Sequence, residues 1–270
     1  MDLETASIAM LYQDPHPAHR GFAAAIDADL VDYRRRSAGP FTDTLVDDVY
    51  NGLRYPEYDV YVAEGSRPLY AAVVHRALTG GRLVYLCADH GLYELGRGDF
   101  AGDSVVKSLI GRFGVGGVRA AARRCVDGVI AVSEFAAEFT EPFVGSDTPV
   151  AVAHPYVQSD VFDRLQSVEP TLDRPVAVTV AQGARYKGVD LLVDAWPTVR
   201  SRHPDAELHV VGRGHPESYA DTPGVVVRGF VDDLGDVLAA ASLYVQPSRM
   251  DTFPAATLAA LCAGLPSLVA

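Results

Sequence analysis

Apolar positions along the chain come in short unbroken runs separated by stretches with helical spacing. Residues 7–11 read as a strand, followed by a polar loop at 13–17 and a helix from about 18 to 35. Further strands are expected at 58–63, 82–87, 128–132 and 150–154, with helical stretches at 41–53 and 67–78. Ser133 directly follows one of these runs and is placed to cap the helix after it. Continuous rather than alternating apolar runs mark strands buried on both faces, and their alternation with helices predicts a parallel sheet covered on each side.

The rhythm breaks at 158–175, a polar stretch ending in Glu169-Pro170 and Arg174-Pro175. It then restarts, with strands at 176–180, 207–211, 225–227 and 243–246 and helices at 189–200, 231–241 and 254–263. A last strand begins at 267–269, where the chain stops. The organisation expected is an N-terminal domain over 1–157, a linker over 158–175 and a second domain over 176–270, the second incomplete at its C-terminus. Two such doubly wound sheets are expected to turn their carboxyl ends toward one cleft, where ligands of such sheets bind.

Composition narrows the picture. The chain has 270 residues, 35 acidic and 23 basic, for a formal charge of −12. Twenty-five of the acids are Asp, and only two of the bases, Lys107 and Lys187, are lysines. Such a balance disfavours bulk binding to nucleic acid, which needs a basic footprint. The three cysteines are far apart, excluding a disulfide scaffold and a thiolate zinc site. No basic leader or long apolar run is seen, so a cytoplasmic protein is expected, with attachment to the inner membrane surface left open.

Against that acidic background the interval between Asp103 and Asp127 holds no acid and five bases, Lys107, Arg112, Arg119, Arg123 and Arg124. It reads as two helices separated by Gly114, Gly116 and Gly117. A basic amphipathic helix suits an anionic membrane surface or an acceptor phosphate; an ordinary core-facing helix with a basic outer side explains it as well.

Three loops of the second domain carry candidate chemistry. Arg185, Lys187 and Gly188 precede a helix, whose free N–H groups and the two cations together make an anion site. Gly212 and Gly214 form a strand-end turn where backbone can approach a ligand closely. The run Pro247-Ser248-Arg249-Met250-Asp251-Thr252-Phe253-Pro254 leads into a helix with Pro254 at its first position and Asp251 or Thr252 as cap, so that the amides of Ala255 and Ala256 would point into the cleft.

Taken in order, 180–196, 207–214, 227–231 and 247–266 resemble the donor domain of glycosyltransferase family 4, and Asp127–Glu134, Ala153–Val157 and the Asp89-His90 pair occupy matching places in the first domain. The resemblance implies the GT-B architecture of two Rossmann-like domains and retaining transfer of a sugar from a nucleotide-diphosphate donor to a sugar, lipid-linked or glycan acceptor. It implies neither a metal nor another cofactor, the nucleotide sugar being a co-substrate. Lys187 would meet the diphosphate; Gly188, Gly212, Gly214, Phe230, Thr252, Phe253 and Ala255 would line the donor. His90 and Asp251 would lie near the transferred sugar. Two positions depart from the family: Gln182 stands where an arginine is usual, with Arg185 nearby, and Ala259 stands where a second glutamate would grip the ribose. An inactive or incomplete relative is therefore a competing expectation. A dinucleotide-dependent oxidoreductase or epimerase is disfavoured because 16–21 is not G-x-G-x-x-G.

Overall fold

The computed structural model describes residues 6–12, 17–33, 50–97 and 105–270, and side chains within these except 17–19 and 105–113. The chain divides into two compact units, Met1–Pro155 and Tyr156–Ala270.

The first unit is built on strands β1 (Ile8–Tyr12), β2 (Asp29–Asp32), β3 (Val60–Glu64), β4 (Arg82–Cys87), β5 (Gly128–Ala131) and β6 (Val150–Val152). They form one sheet in the order β2-β1-β3-β4-β5-β6, every pair parallel. The described helices around it are α1 (Pro17–Ala25), α2 (Ser66–Thr79), α3 (Gly91–Arg97), α4 (Val105–Cys125) and α5 (Glu134–Thr140). Ser133 caps α5, its hydroxyl accepting from the Ala136 amide at 3.1 Å.

The second unit carries β7 (Val176–Val180), β8 (Glu207–Val211), β9 (Val225–Gly229), β10 (Leu243–Gln246) and β11 (Ser267–Val269). Their order is β11-β10-β7-β8-β9, again all parallel. Around them lie α6 (Ser159–Gln166), α7 (Val189–Arg202), α8 (Leu234–Ala239) and α9 (Ala255–Cys262). One face packs Val178, Tyr244, Ala260 and Leu265 into a core, and the other packs Ala177, Val193, Trp196 and Val210. This two-sided burial is the origin of the unbroken apolar runs.

Four expectations need correction. The helix expected over 18–35 ends at Ala25; the chain turns through Asp27, at φ +50°, and Asp29–Asp32 pairs with β1 as a strand. The basic interval is one continuous helix rather than two; each of its glycines costs about 1 kcal/mol, and burial of Ala122 and Cys125 with the stacking of Arg119 on Phe143 anchors its C-terminal half. Residues 158–175 are not a plain connector: α6 lies within them, with Leu165 buried in the core of the second unit and Val161, one turn earlier, packed beside it. The last helix begins at Ala255, with Pro254 as the capping position and no side-chain cap. Most of the helix expected at 41–53 lies outside the described residues, and residues 50–52 are helical.

Candidate functional site

In the second sheet the chain leaves β7 toward β8 and β9, then crosses back to β10 on the other side. The order of strands therefore reverses between β7 and β10, and it is beyond the carboxyl ends of strands at such a reversal that ligands of open parallel sheets bind. The loop after β7 holds Lys187 and the loop after β10 holds Asp251. Their side chains meet there, Lys187 Nζ donating to Asp251 Oδ2 at 2.6 Å, with the two side chains only 20% and 12% exposed.

Close backbone packing sets this geometry. A 3-10 turn, Arg185–Lys187, ends at Gly188, which has φ +69° and forms the N-cap of α7. A β-carbon on Gly188 would stand 1.8 Å from the Pro247 carbonyl oxygen, so only glycine lets the two loops touch. Arg249 then ties them together. Its amide donates to the Tyr186 carbonyl at 2.8 Å. Its guanidinium donates to the Arg185 carbonyl at 2.6 Å and to both oxygens of Asp190 at 2.6 and 2.8 Å. These bonds from Arg249 hold the Asp190 carboxyl below its ordinary pKa.

Beneath the ion pair runs a line of buried polar groups. The Tyr244 hydroxyl donates to Gln246 Oε1, and Gln246 Nε2 donates to Ser248 Oγ at 2.6 Å. Both Gln246 Nε2 and Ser248 Oγ lie 3.4 Å from Asp251 Oδ2. Ser248 and Arg249 lie in the candidate run 247–254 without an expected role of their own, and Gln246 and Asp190 lie outside the expected residues. Neutral polar residues closing an apolar strand give no local signal, and Asp190 and Arg249 lie 59 positions apart.

The glycine turn after β8 joins the same group of loops. Gly183 donates to the Arg213 carbonyl at 2.8 Å, and a β-carbon on Gly212 would lie 1.8 Å from the Ala181 carbonyl oxygen. His215 Nε2–H donates to that same carbonyl at 2.8 Å. The Arg213 guanidinium lies 4.2 Å over the ring of Phe230, which is 57% exposed at the end of β9.

Placement of the expected residues is uneven. Lys187, Gly188, Asp251 and the Gly212–Gly214 turn are brought into one cluster of loops. The side chain of Arg185 is exposed, and its carbonyl accepts from the Arg249 guanidinium. Thr252 and Phe253 lie half-buried in the same loop as Asp251. The Ala255 amide is not free for a ligand, since it donates to the Phe253 carbonyl at 3.0 Å. Asp251 turns to Lys187 instead of capping α9. Ala259 packs against the apolar core, with no carboxylate at that turn of α9.

In the first unit His90 stands between β4 and α3, its Nε2 3.3 Å from Glu94 Oε1. The preceding Asp89 accepts from the Ser66 amide and hydroxyl at 2.8 and 2.9 Å and from the Gly91 amide at 3.2 Å. It thus pins the loop after β3 to the loop after β4, and so fixes the backbone on both sides of His90. Within the basic helix α4, the Arg119 guanidinium lies 5.0 Å over Phe143 and Arg123 donates to the Pro142 carbonyl at 3.3 Å. Arg124 is exposed. The side chains of Lys107 and Arg112 lie outside the described residues. Among the described residues there is no group of three His, Cys, Asp or Glu that could hold a metal ion, and no helix long and apolar enough to cross a membrane.

The loops just described fall inside a stretch, residues 174–270, that matches the family model for "glycosyl transferases group 1". Residues 174–270 are thus similar to a group 1 glycosyltransferase domain. Similarity to whole proteins extends this. The chain is 29% identical over 112 residues to the mannosylfructose-phosphate synthase of Agrobacterium fabrum, covering 35% of this chain and 25% of that protein. It is 22% identical over 215 residues to an uncharacterized glycosyltransferase of Haemophilus influenzae, covering 76% of this chain and 54% of that one. The chain thus spans about half, or less, of the length of these curated relatives.

Solved structures extend the likeness to both units. The sucrose-phosphate synthase of Thermosynechococcus elongatus matches with a TM-score of 0.67 and 16% identity, over 97% of this chain and 80% of its own. Anabaena HepE, solved with UDP and glucose, matches with a TM-score of 0.64 at 16% identity, over 98% of this chain and 80% of its own. WaaG, a glycosyltransferase involved in lipopolysaccharide biosynthesis, matches with a TM-score of 0.65 at 16% identity, over 97% and 80%. These likenesses establish the GT-B fold of two parallel-sheet α/β units, and the second unit holds the stretch that matches the family model.

Proposed function

We propose that this chain moves a sugar from a nucleoside-diphosphate donor to an acceptor hydroxyl, with retention at the anomeric carbon. One observation carries the reading. Within the glycosyltransferase domain, one of the chain's two lysines stands at the strand-order reversal of the sheet, held there by a carboxylate and by a glycine-only loop contact. A cation at the start of a helix, at the carboxyl end of a parallel sheet, suits a diphosphate.

In this reading the bond between the anomeric carbon and the diphosphate oxygen breaks as the acceptor oxygen bonds from the same face. The leaving diphosphate takes the acceptor's proton. The Lys187 ammonium neutralises the charge that develops on the leaving group, a form of electrostatic stabilisation that needs no metal. Asp251 lies beside the sugar and, on the first unit, His90 is the second residue assigned to it. The acceptor is a sugar, lipid-linked or glycan hydroxyl, and α4 with Arg124 is its candidate contact or a peripheral contact with an anionic membrane. Co-sedimentation with vesicles, with and without anionic lipid, tests the membrane part; binding that ignores anionic lipid ends it.

The whole reading is tested by incubating the full chain with a panel of nucleotide sugars and acceptors and assigning the product's anomeric configuration by NMR. Transfer with retention is expected, and an inverted product contradicts the mechanism. A second reading, an inactive glycosyltransferase-like relative, is favoured by Ala259, which offers apolar contact where a ribose-gripping carboxylate would stand. Donor binding with no product for any acceptor selects that reading.

A further inference from the structure

Gln246 closes β10 and is 3% exposed. Tyr244, two residues earlier, shares its face of the strand and lies in the apolar core with Val178 and Ala260. A leucine or methionine would fill that space with no partners to find, whereas a buried amide must satisfy both of its ends. Both are satisfied here, in one direction. The Tyr244 hydroxyl donates to Oε1, which turns the NH2 group toward Ser248 Oγ at 2.6 Å and Asp251 Oδ2 at 3.4 Å. Ser248 in turn brings its own hydroxyl to 3.4 Å from Asp251. Burial raises the Tyr244 phenol above its ordinary pKa, so it stays a donor throughout the working range of pH. Every donor in the line thus points toward a carboxylate whose outer partner is Lys187.

We infer that Gln246 is a positioning residue: its amide, with Ser248, holds the Asp251 carboxylate in the geometry that pairs with Lys187, and so fixes where the ammonium stands for the donor's diphosphate. The inference rests on the nucleotide-diphosphate reading for its purpose, though not for its geometry. Without the amide, Asp251 can swing to solvent and Lys187 follows or is released.

The test uses the full chain and Gln246→Met, which keeps length and volume but removes all three bonds of the amide, alongside Ser248→Ala. Lys107 and Lys187 are the only lysines, so amine modification read peptide by peptide reports Lys187 against an internal reference. In both variants the Lys187-to-Lys107 modification ratio is expected to rise several-fold. Nucleoside-diphosphate affinity, measured by calorimetry with UDP, GDP and ADP, is expected to fall about 3- to 10-fold, the scale of one hydrogen bond. Ser248→Thr, which keeps the hydroxyl, should restore both. A general loss of packing would lower the melting temperature without singling out Lys187. A wild-type modification ratio in Gln246→Met overturns the inference; should that variant not fold, the same result in Ser248→Ala, whose change lies beyond the strand, overturns it. If the wild-type chain binds no nucleoside diphosphate, the functional reading fails, while the modification ratio still decides the positioning role.

Discussion

Lys187 and Asp251, 64 residues apart in the chain, meet at 2.6 Å where the strand order of the second sheet reverses. The loop after β7 and the loop after β10 therefore act as one structural unit, and changes in either should be felt in the other.

Gly188 is where the two loops touch. Alanine there meets both a left-handed backbone, at φ +69°, and the Pro247 carbonyl oxygen, 1.8 Å from the added carbon. Gly188→Ala should lower stability in urea by about 1–3 kcal/mol, the range for a strained backbone site. Gly264→Ala, at φ +72° with no atom within 4 Å of the added carbon, should cost less because only the backbone term remains, about 1 kcal/mol. Equal losses would show that the close approach to Pro247 does not matter.

The Asp190–Arg249 pair should give a pH signature. Arg249 holds the Asp190 pKa below its unfolded value of about 3.9. A depressed carboxylate pKa contributes stability that is present above the unfolded value and is lost as pH falls through the folded one. Asp190→Asn should therefore be less stable than the wild type at pH 7, and the gap should close below about pH 4. The pair is partly exposed, so the gap at pH 7 should stay under about 1 kcal/mol. A gap that persists unchanged in acid contradicts the assignment.

Cysteine labelling separates the two sides of the chain's thiol chemistry. Burial pushes the Cys87 thiol up to about 12, and Cys125 is buried as well, while Cys262 is half-buried. Since the thiolate is the reactive species, iodoacetamide at pH 8 should modify Cys262 first in the native protein and reach Cys87 only after unfolding. Native labelling of Cys87 at the rate of Cys262 would contradict this.

How much of this could be read from the residues follows from which forces are local. Val176–Val180, Glu207–Val211 and Leu243–Gln246 match their expected bounds because buried parallel strands are unbroken apolar runs between polar loops. Lys187 stood out because lysine is scarce in the chain. Asp29–Asp32 was hidden, since two apolar residues between aspartates also fit the tail of a helix; only pairing with β1 makes them a strand. Helix α6 was hidden by its polarity, with one buried side chain, Leu165, to declare it. The Asp190–Arg249 clamp and the Tyr244–Gln246–Ser248 line are tertiary relationships, and no spacing within either segment encodes them.

The central claim is that Lys187 binds the diphosphate of a nucleotide donor. Calorimetry of the full chain and of Lys187→Ala against UDP, GDP and ADP tests it most directly. The account predicts that the wild type binds at least one of them and that the variant binds it about 10- to 150-fold more weakly, the loss of one charged hydrogen bond of about 1.5–3 kcal/mol. Equal affinity in the two proteins would contradict it.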